Sequence, residues 1–105
     1  MKLLTKAIEN KLAKRPLYSQ DGKGGDAEII VKFFNPCGAG TWYVLEGEKQ
    51  ANGDWYFFGL AEIGYGLEYG YFSLNELKSL RLPSGLTIER DMYFNGMKVK
   101  DVMKD

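Results

Sequence analysis

The stretch 41–72 limits the folds open to this chain more than any other part of it. Runs of aromatic and branched residues there are interrupted only by Gln-Ala-Asn-Gly-Asp at 50–54 and Gly-Tyr-Gly at 64–66. Asn-Gly between two such runs is a strong short-range signal for a β-hairpin, because its turn needs positive φ at both central positions. The stretch therefore predicts three antiparallel strands, over 41–49, 55–63 and 67–72. A further strand is expected at 28–35, rich in β-branched and aromatic residues, and a fifth at 88–94, where apolar and charged residues alternate.

Helix signals flank this block. Thr5 is a good N-cap, Leu4, Ala7, Ile8 and Leu12 fall at helical spacing, and Pro16 stops the run, giving a helix over about 5–14. Ser73-Leu-Asn-Glu76 is a capping box, and Phe72 with Leu77 forms its hydrophobic staple, giving a helix over about 74–81. The turn-forming residues at 19–26 predict a mobile loop. The tail after Gly96 is too polar and short to assign. With 105 residues there is room for one domain, 1–105. The expected fold class is α+β, a four- to five-stranded antiparallel sheet with two helices packed mainly on one face.

A two-residue loop at Asn52-Gly53 would set Tyr43 opposite Glu62, Leu45 opposite Leu60 and Val44 opposite Ala61. Alternation then puts Trp42, Val44, Phe57, Gly59, Ala61, Ile63, Leu67, Tyr69 and Tyr71 on the helix-covered face. Tyr43, Leu45, Tyr56, Phe58, Leu60, Glu62, Glu68 and Phe72 fall on the other. So aromatic a second face is unusual for one left in water. It is either covered, by loops, by the C-terminal tail or by a second copy, or it is a binding surface.

Composition removes many chemistries. The chain has no His and one Cys. This excludes imidazole-dependent catalysis, His-ligated metals, thiolate clusters and an internal disulfide. No cofactor and no metal are expected. Cys37 lies in Asn-Pro-Cys-Gly-Ala-Gly-Thr, which leads into a strand and lacks the Lys-Ser/Thr of a phosphate loop; it reads as a hairpin loop with an incidental thiol.

One constellation stands out. A three-residue turn at 64–66 would place Glu62 opposite Glu68 and beside Tyr43, an unfavourable like-charge pair. Such a pair shares a proton or recruits a cation, and Arg90 or Lys32 could supply one. Tyr43, Glu62, Glu68 and Arg90 are thus the candidate binding residues. No catalytic residue is assigned.

The balanced 14 basic and 14 acidic side chains hide an uneven distribution. Residues 1–32 carry seven basic and four acidic side chains, residues 33–76 only Lys49 against six acids, and residues 77–105 six basic and four acidic. An acidic sheet between basic ends disfavours direct nucleic-acid binding. No apolar run approaches a membrane span or a signal peptide, so no membrane partner and a cytoplasmic location are expected.

Taken in order, Leu3-Leu4-Thr5, Val31-Lys-Phe-Phe34 before Pro36, Thr41-Trp-Tyr43, Phe57-Phe-Gly-Leu60, Gly70-Tyr-Phe-Ser-Leu74 and Ile88-Glu-Arg-Asp91 resemble the small bacterial domain-of-unknown-function family 2958 over nearly the whole chain. The resemblance implies no activity. It does imply carriage on plasmids and integrative elements, and hence a role in element maintenance or host interaction. Three readings compete: a non-enzymatic protein-interaction module, including one that self-associates; a small-ligand binder or enzyme built on the Tyr/Glu/Glu/Arg cluster; and an acidic decoy of host nucleic-acid-handling proteins. The lack of His leans against an enzyme.

Overall fold

The computed structural model describes residues 2–103. Thr5 caps the first helix, α1 (Lys6–Ala13), by accepting the Ile8 amide at 3.2 Å. Five strands follow: β1 (Val31–Phe34), β2 (Thr41–Lys49), β3 (Trp55–Glu62), β4 (Leu67–Ser73) and, after helix α2 (Leu74–Ser79), β5 (Glu89–Arg90). Ser73 accepts the Glu76 amide at 3.1 Å, so α2 starts where the capping box predicts. The strands form one antiparallel sheet in the order β4-β3-β2-β1-β5, and the expected α+β class is what the chain adopts. No described helix is long and apolar enough to cross a membrane.

Two expected strands are shorter than predicted. The first covers four residues of 28–35 and the last only Glu89 and Arg90 of 88–94. Chain on either side of each turns to other partners: Ile29 donates to the Met97 carbonyl at 3.0 Å and Phe94 to the Asp91 carbonyl at 3.3 Å. Just past the last strand, Asp91 pairs with Lys32 of β1 at 3.4 Å, an ion pair across the ladder.

Register departs from expectation at both turns. The Gln50 amide bonds the Asp54 carbonyl, and Gly53, at φ +89°, donates to Gln50, so the first loop has three residues, 51–53, with glycine at the left-handed position. Further along, β2 holds a bulge. Val44 pairs with Gly59 and Glu46 with Phe58, leaving Leu45 as the extra residue. Tyr43 therefore faces Leu60, and Thr41 faces Glu62. Loop and bulge together slide this end of the pair by two residues, which keeps each side chain on its expected face.

At the second turn the slip is one residue, which is enough to exchange faces. Glu62 pairs with Leu67, Phe58 with Tyr71 and Phe57 with Phe72. Tyr69 and Tyr71 thus join Phe58 and Tyr56 on the face away from the two longer helices. Phe72 moves into the helix-side core and Glu68 goes with it to that face. Both β4 assignments of the period-two reading are corrected by this slip.

The helix-side core holds Leu12, Phe33, Val44 and Phe57, all with no exposed surface, together with Trp55, Phe72, Leu74 and Leu77. A smaller core sits on the opposite face. Leu45 and Leu60 are covered there by Ala27, Ile29 and Val99. Val99 opens a four-residue helix, α3 (Val99–Val102), in the tail that carries too little pattern to assign by sequence. The Val99 amide bonds the Ala27 carbonyl at 3.0 Å, so the tail is held by backbone pairing as well as by its one buried side chain.

Gly59 is the tightest point of the sheet. A Cβ there would lie 1.9 Å from the Tyr43 carbonyl oxygen, whereas one on its cross-strand partner Gly70 would meet nothing within 4 Å. Gly59→Ala should cost ~3 kcal/mol or more, and Gly70→Ala should stay within about 0.5 kcal/mol. Urea unfolding of the two variants checks this, and equal midpoints would refute the close approach.

Candidate functional site

The bulge decides what the open face contains. Strict alternation from Trp42 and Val44 would turn Glu46 toward the helices. The extra residue sends both Leu45 and Glu46 to the other side, where Glu46 is 4% exposed. A buried carboxylate needs hydrogen-bond donors. Glu46 takes two from the backbone, the Tyr18 amide on Oε1 at 2.7 Å and the Gln20 amide on Oε2 at 2.8 Å. Tyr18 sits at φ +72°, a strained conformation for a non-glycine residue, and this bond holds its amide in place.

Gln20 completes the anchor. Its side-chain amide donates to the Glu28 and Leu45 carbonyls, each at 2.8 Å, and its oxygen accepts the Glu28 amide at 2.7 Å. The expected mobile loop is therefore tied down at its root, and it continues as a 3-10 turn at Gly24–Asp26. Asp26 pairs with Lys100 at 3.1 Å, and Arg15 with Glu28. Both carboxyls sit below their ordinary values, each chiefly through the hydrogen bond from its basic partner.

Beyond this loop the cover ends. Tyr56 and Tyr71 stack at 5.4 Å between ring centroids, and Phe58 and Tyr69 at 5.8 Å. These cross-strand pairs lie in the open: Tyr56 is 39%, Tyr69 49% and Tyr71 48% exposed. The Tyr18 hydroxyl reaches the same group. A hydrogen bond with it, then local desolvation, then the charges of Tyr18, Glu46 and Tyr56 raise the Tyr71 phenol above its ordinary value. Between loop and rings lies a cleft of about 370 Å³ lined by Gln20, Asp21, Leu45, Glu46, Phe58 and Tyr69, among others. The second face is thus covered at one end by the C-terminal tail and bare at the other.

The four residues singled out from sequence do not converge. Tyr43 and Glu62 share this face, but the Glu62 carboxylate accepts the Gly64 amide. Glu68 faces the helix side opposite Ala61, in a shallow depression of about 290 Å³ that also touches Trp42 and Glu76. Glu62 and Glu68 are therefore neighbours along the ladder and not a facing pair. Arg90 lies at the far edge of the sheet, three strands from Glu62 and four from Glu68, and donates to the Lys2 carbonyl. Lys32 is engaged by Asp91 and lies over the Tyr43 ring at 5.8 Å. Cys37 is an exposed free thiol in a loop closed by the Asn35 side chain, which accepts the Cys37 amide at 2.7 Å. Among the described residues no group of three or more Cys, Asp or Glu could hold a metal ion.

Sequence reasoning missed Glu46, Gln20 and the Tyr18 turn. A signal was present: Glu46 and Gly47 follow four consecutive apolar or aromatic residues, Trp42 to Leu45, within one strand, where strict alternation fails.

Glu46→Gln replaces one acceptor oxygen with an amide that cannot accept, so it should cost about 1–3 kcal/mol and raise exchange of the Tyr18 and Gln20 amides. Hydrogen exchange by NMR reads both, and unchanged protection would remove the anchor role. Tyr18→Phe should return Tyr71 toward ~10. A phenol raised in the folded state stabilises below its unfolded value, and that stabilisation is lost as pH rises through the folded one. Ultraviolet titration of Tyr18→Phe against Tyr71→Phe checks the assignment.

No curated protein and no solved structure matches the chain. A family model described as "Protein of unknown function (DUF2958)" matches residues 3–101, and the chain belongs to that family.

Proposed function

We propose that this protein is a non-enzymatic interaction module that docks a basic protein segment on the bare β3–β4 aromatic face. The observation that carries the reading is the stacked, half-exposed set Tyr56, Phe58, Tyr69 and Tyr71. Tyrosine buries a large area on binding at low rotamer cost, and contiguous exposed aromatics mark contact surfaces.

Charge selects the partner's chemistry. The block 33–76, which contains β3 and β4, has six acids and one base, so a basic segment is drawn to it while nucleic acid is repelled. Tyrosine faces add cation–π attraction for Arg or Lys. An enzymatic reading gains no support from a chain without His whose four candidate residues lie on both faces and both edges of the sheet. The mobile-element setting implied by the family resemblance supports a partner among host or element proteins.

A photo-crosslinking residue at position 71, compared with one at 93, tests the reading, since Tyr93 is fully open but lies away from β3 and β4. Crosslinks at 71 alone, to a partner peptide rich in Lys or Arg, are expected. Tyr56→Ser and Tyr71→Ser should each weaken that complex roughly 10–30-fold, with a stability cost of ~1 kcal/mol from the lost stack. Crosslinks only to a second copy of the chain, or equal yields at both positions, would overturn it.

A further inference from the structure

The cleft beside the aromatic rings has a composition of its own. Among the described residues its lining contains two carboxylates, Asp21 and Glu46, and no Lys or Arg. One wall is the Phe58–Tyr69 stack, whose rings are nearly parallel at 7°. The floor is apolar, Ala27 and Leu45, and both are buried. Glu46 already accepts two backbone amides, and among the described residues lining the cleft none carries a positive charge to balance it. At about 370 Å³ the space is near the small end of ligand sites.

We infer that this cleft receives an organic cation, a guanidinium or alkylammonium head on a short apolar stem, as the anchoring side chain of the docked segment. The inference rests on the docking reading and names the group that would enter. Each part of the cleft meets a different part of such a ligand. The carboxylates attract the charge, the stacked rings offer their negative faces to a planar cation, and Ala27 with Leu45 covers the stem. Arginine fits best, because its guanidinium is weakly hydrated and stacks on aromatic rings. An anion is refused by the two carboxylates, and a neutral apolar group would leave them unmatched.

The test uses N-acetyl-arginine amide against N-acetyl-citrulline amide, which keeps the shape and removes the charge, with amide NMR of the full chain. The arginine probe should give saturable shifts at Gly22, Gly24, Leu45, Phe58 and Tyr69, and citrulline should bind at least ~10-fold more weakly, a difference of about 1.4 kcal/mol. Raising salt should weaken the arginine probe alone. Asp21→Asn, whose side chain supports no part of the fold described above, should weaken it several-fold, and Phe58→Leu more, since it removes the ring and keeps an apolar wall. Equal shifts from both probes, or none that saturate, would overturn the inference.

A second arm separates the two proposals. The same arginine set within a short extended peptide should bind more tightly than the free amide and lose that gain in Tyr56→Ser. If the free amide binds in the cleft and the peptide adds nothing, the docking reading fails and the site serves a free small cation. If crosslinking at position 71 finds a basic partner but arginine and citrulline bind alike, docking stands and the cleft falls.

Discussion

The one extra residue in β2 is the constraint on which the rest of this face depends. A bulge places two residues against one, and at Leu45 and Glu46 it turns an apolar and an acidic side chain to the same side. Leu45 becomes the floor of the small second core, and Glu46 becomes the anchor for the chain at 18–20. The bulge also sits beside the close approach of Tyr43 to Gly59, where no larger residue fits. Without it, alternation would send Glu46 into the helix-side core among Leu12, Val44 and Phe57, where an ionised carboxylate has no donors to meet.

Local chemistry made much of the architecture readable in the sequence. The two caps, Thr5 and Ser73, act within three residues of themselves, and the structure has both bonds where the pattern puts them. Strand positions in the aromatic block follow from β-propensity and turn residues in the same way. Register does not. It depends on whether a loop holds two, three or four residues, a difference of one backbone bond that Asn52-Gly53 and Gly64-Tyr65-Gly66 leave open. At the first turn the error was one residue, and the bulge at Leu45 added a second, so beyond it Tyr43 and Leu60 kept their expected faces. At the second it stayed odd, and it exchanged the faces of Phe72, Tyr69, Tyr71 and Glu68.

The candidate site was less readable for a related reason. A facing Glu62–Glu68 pair followed from an assumed loop length, and no local signal could have contradicted it. The C-terminal tail failed differently. Four helical residues are too few for a periodic pattern, and α3 exists because Val99 enters a core built by Leu45 and Leu60, distant in sequence. Tertiary contact supplies what propensity lacks.

The free edge of the sheet shows why the occupant of the bare face matters. β5 closes one edge with only two paired residues, but β4 offers seven, with no Pro, no Lys and no bulge to discourage pairing. Natural sheets rarely leave such an edge unguarded. Of the seven β4 residues only Glu68 is charged. Two copies meeting along β4 would bring together their acidic central blocks, each with six acids against the single base Lys49, a repulsive arrangement. Under the docking proposal, the charge that opposes pairing between two copies is the one that would draw a basic chain.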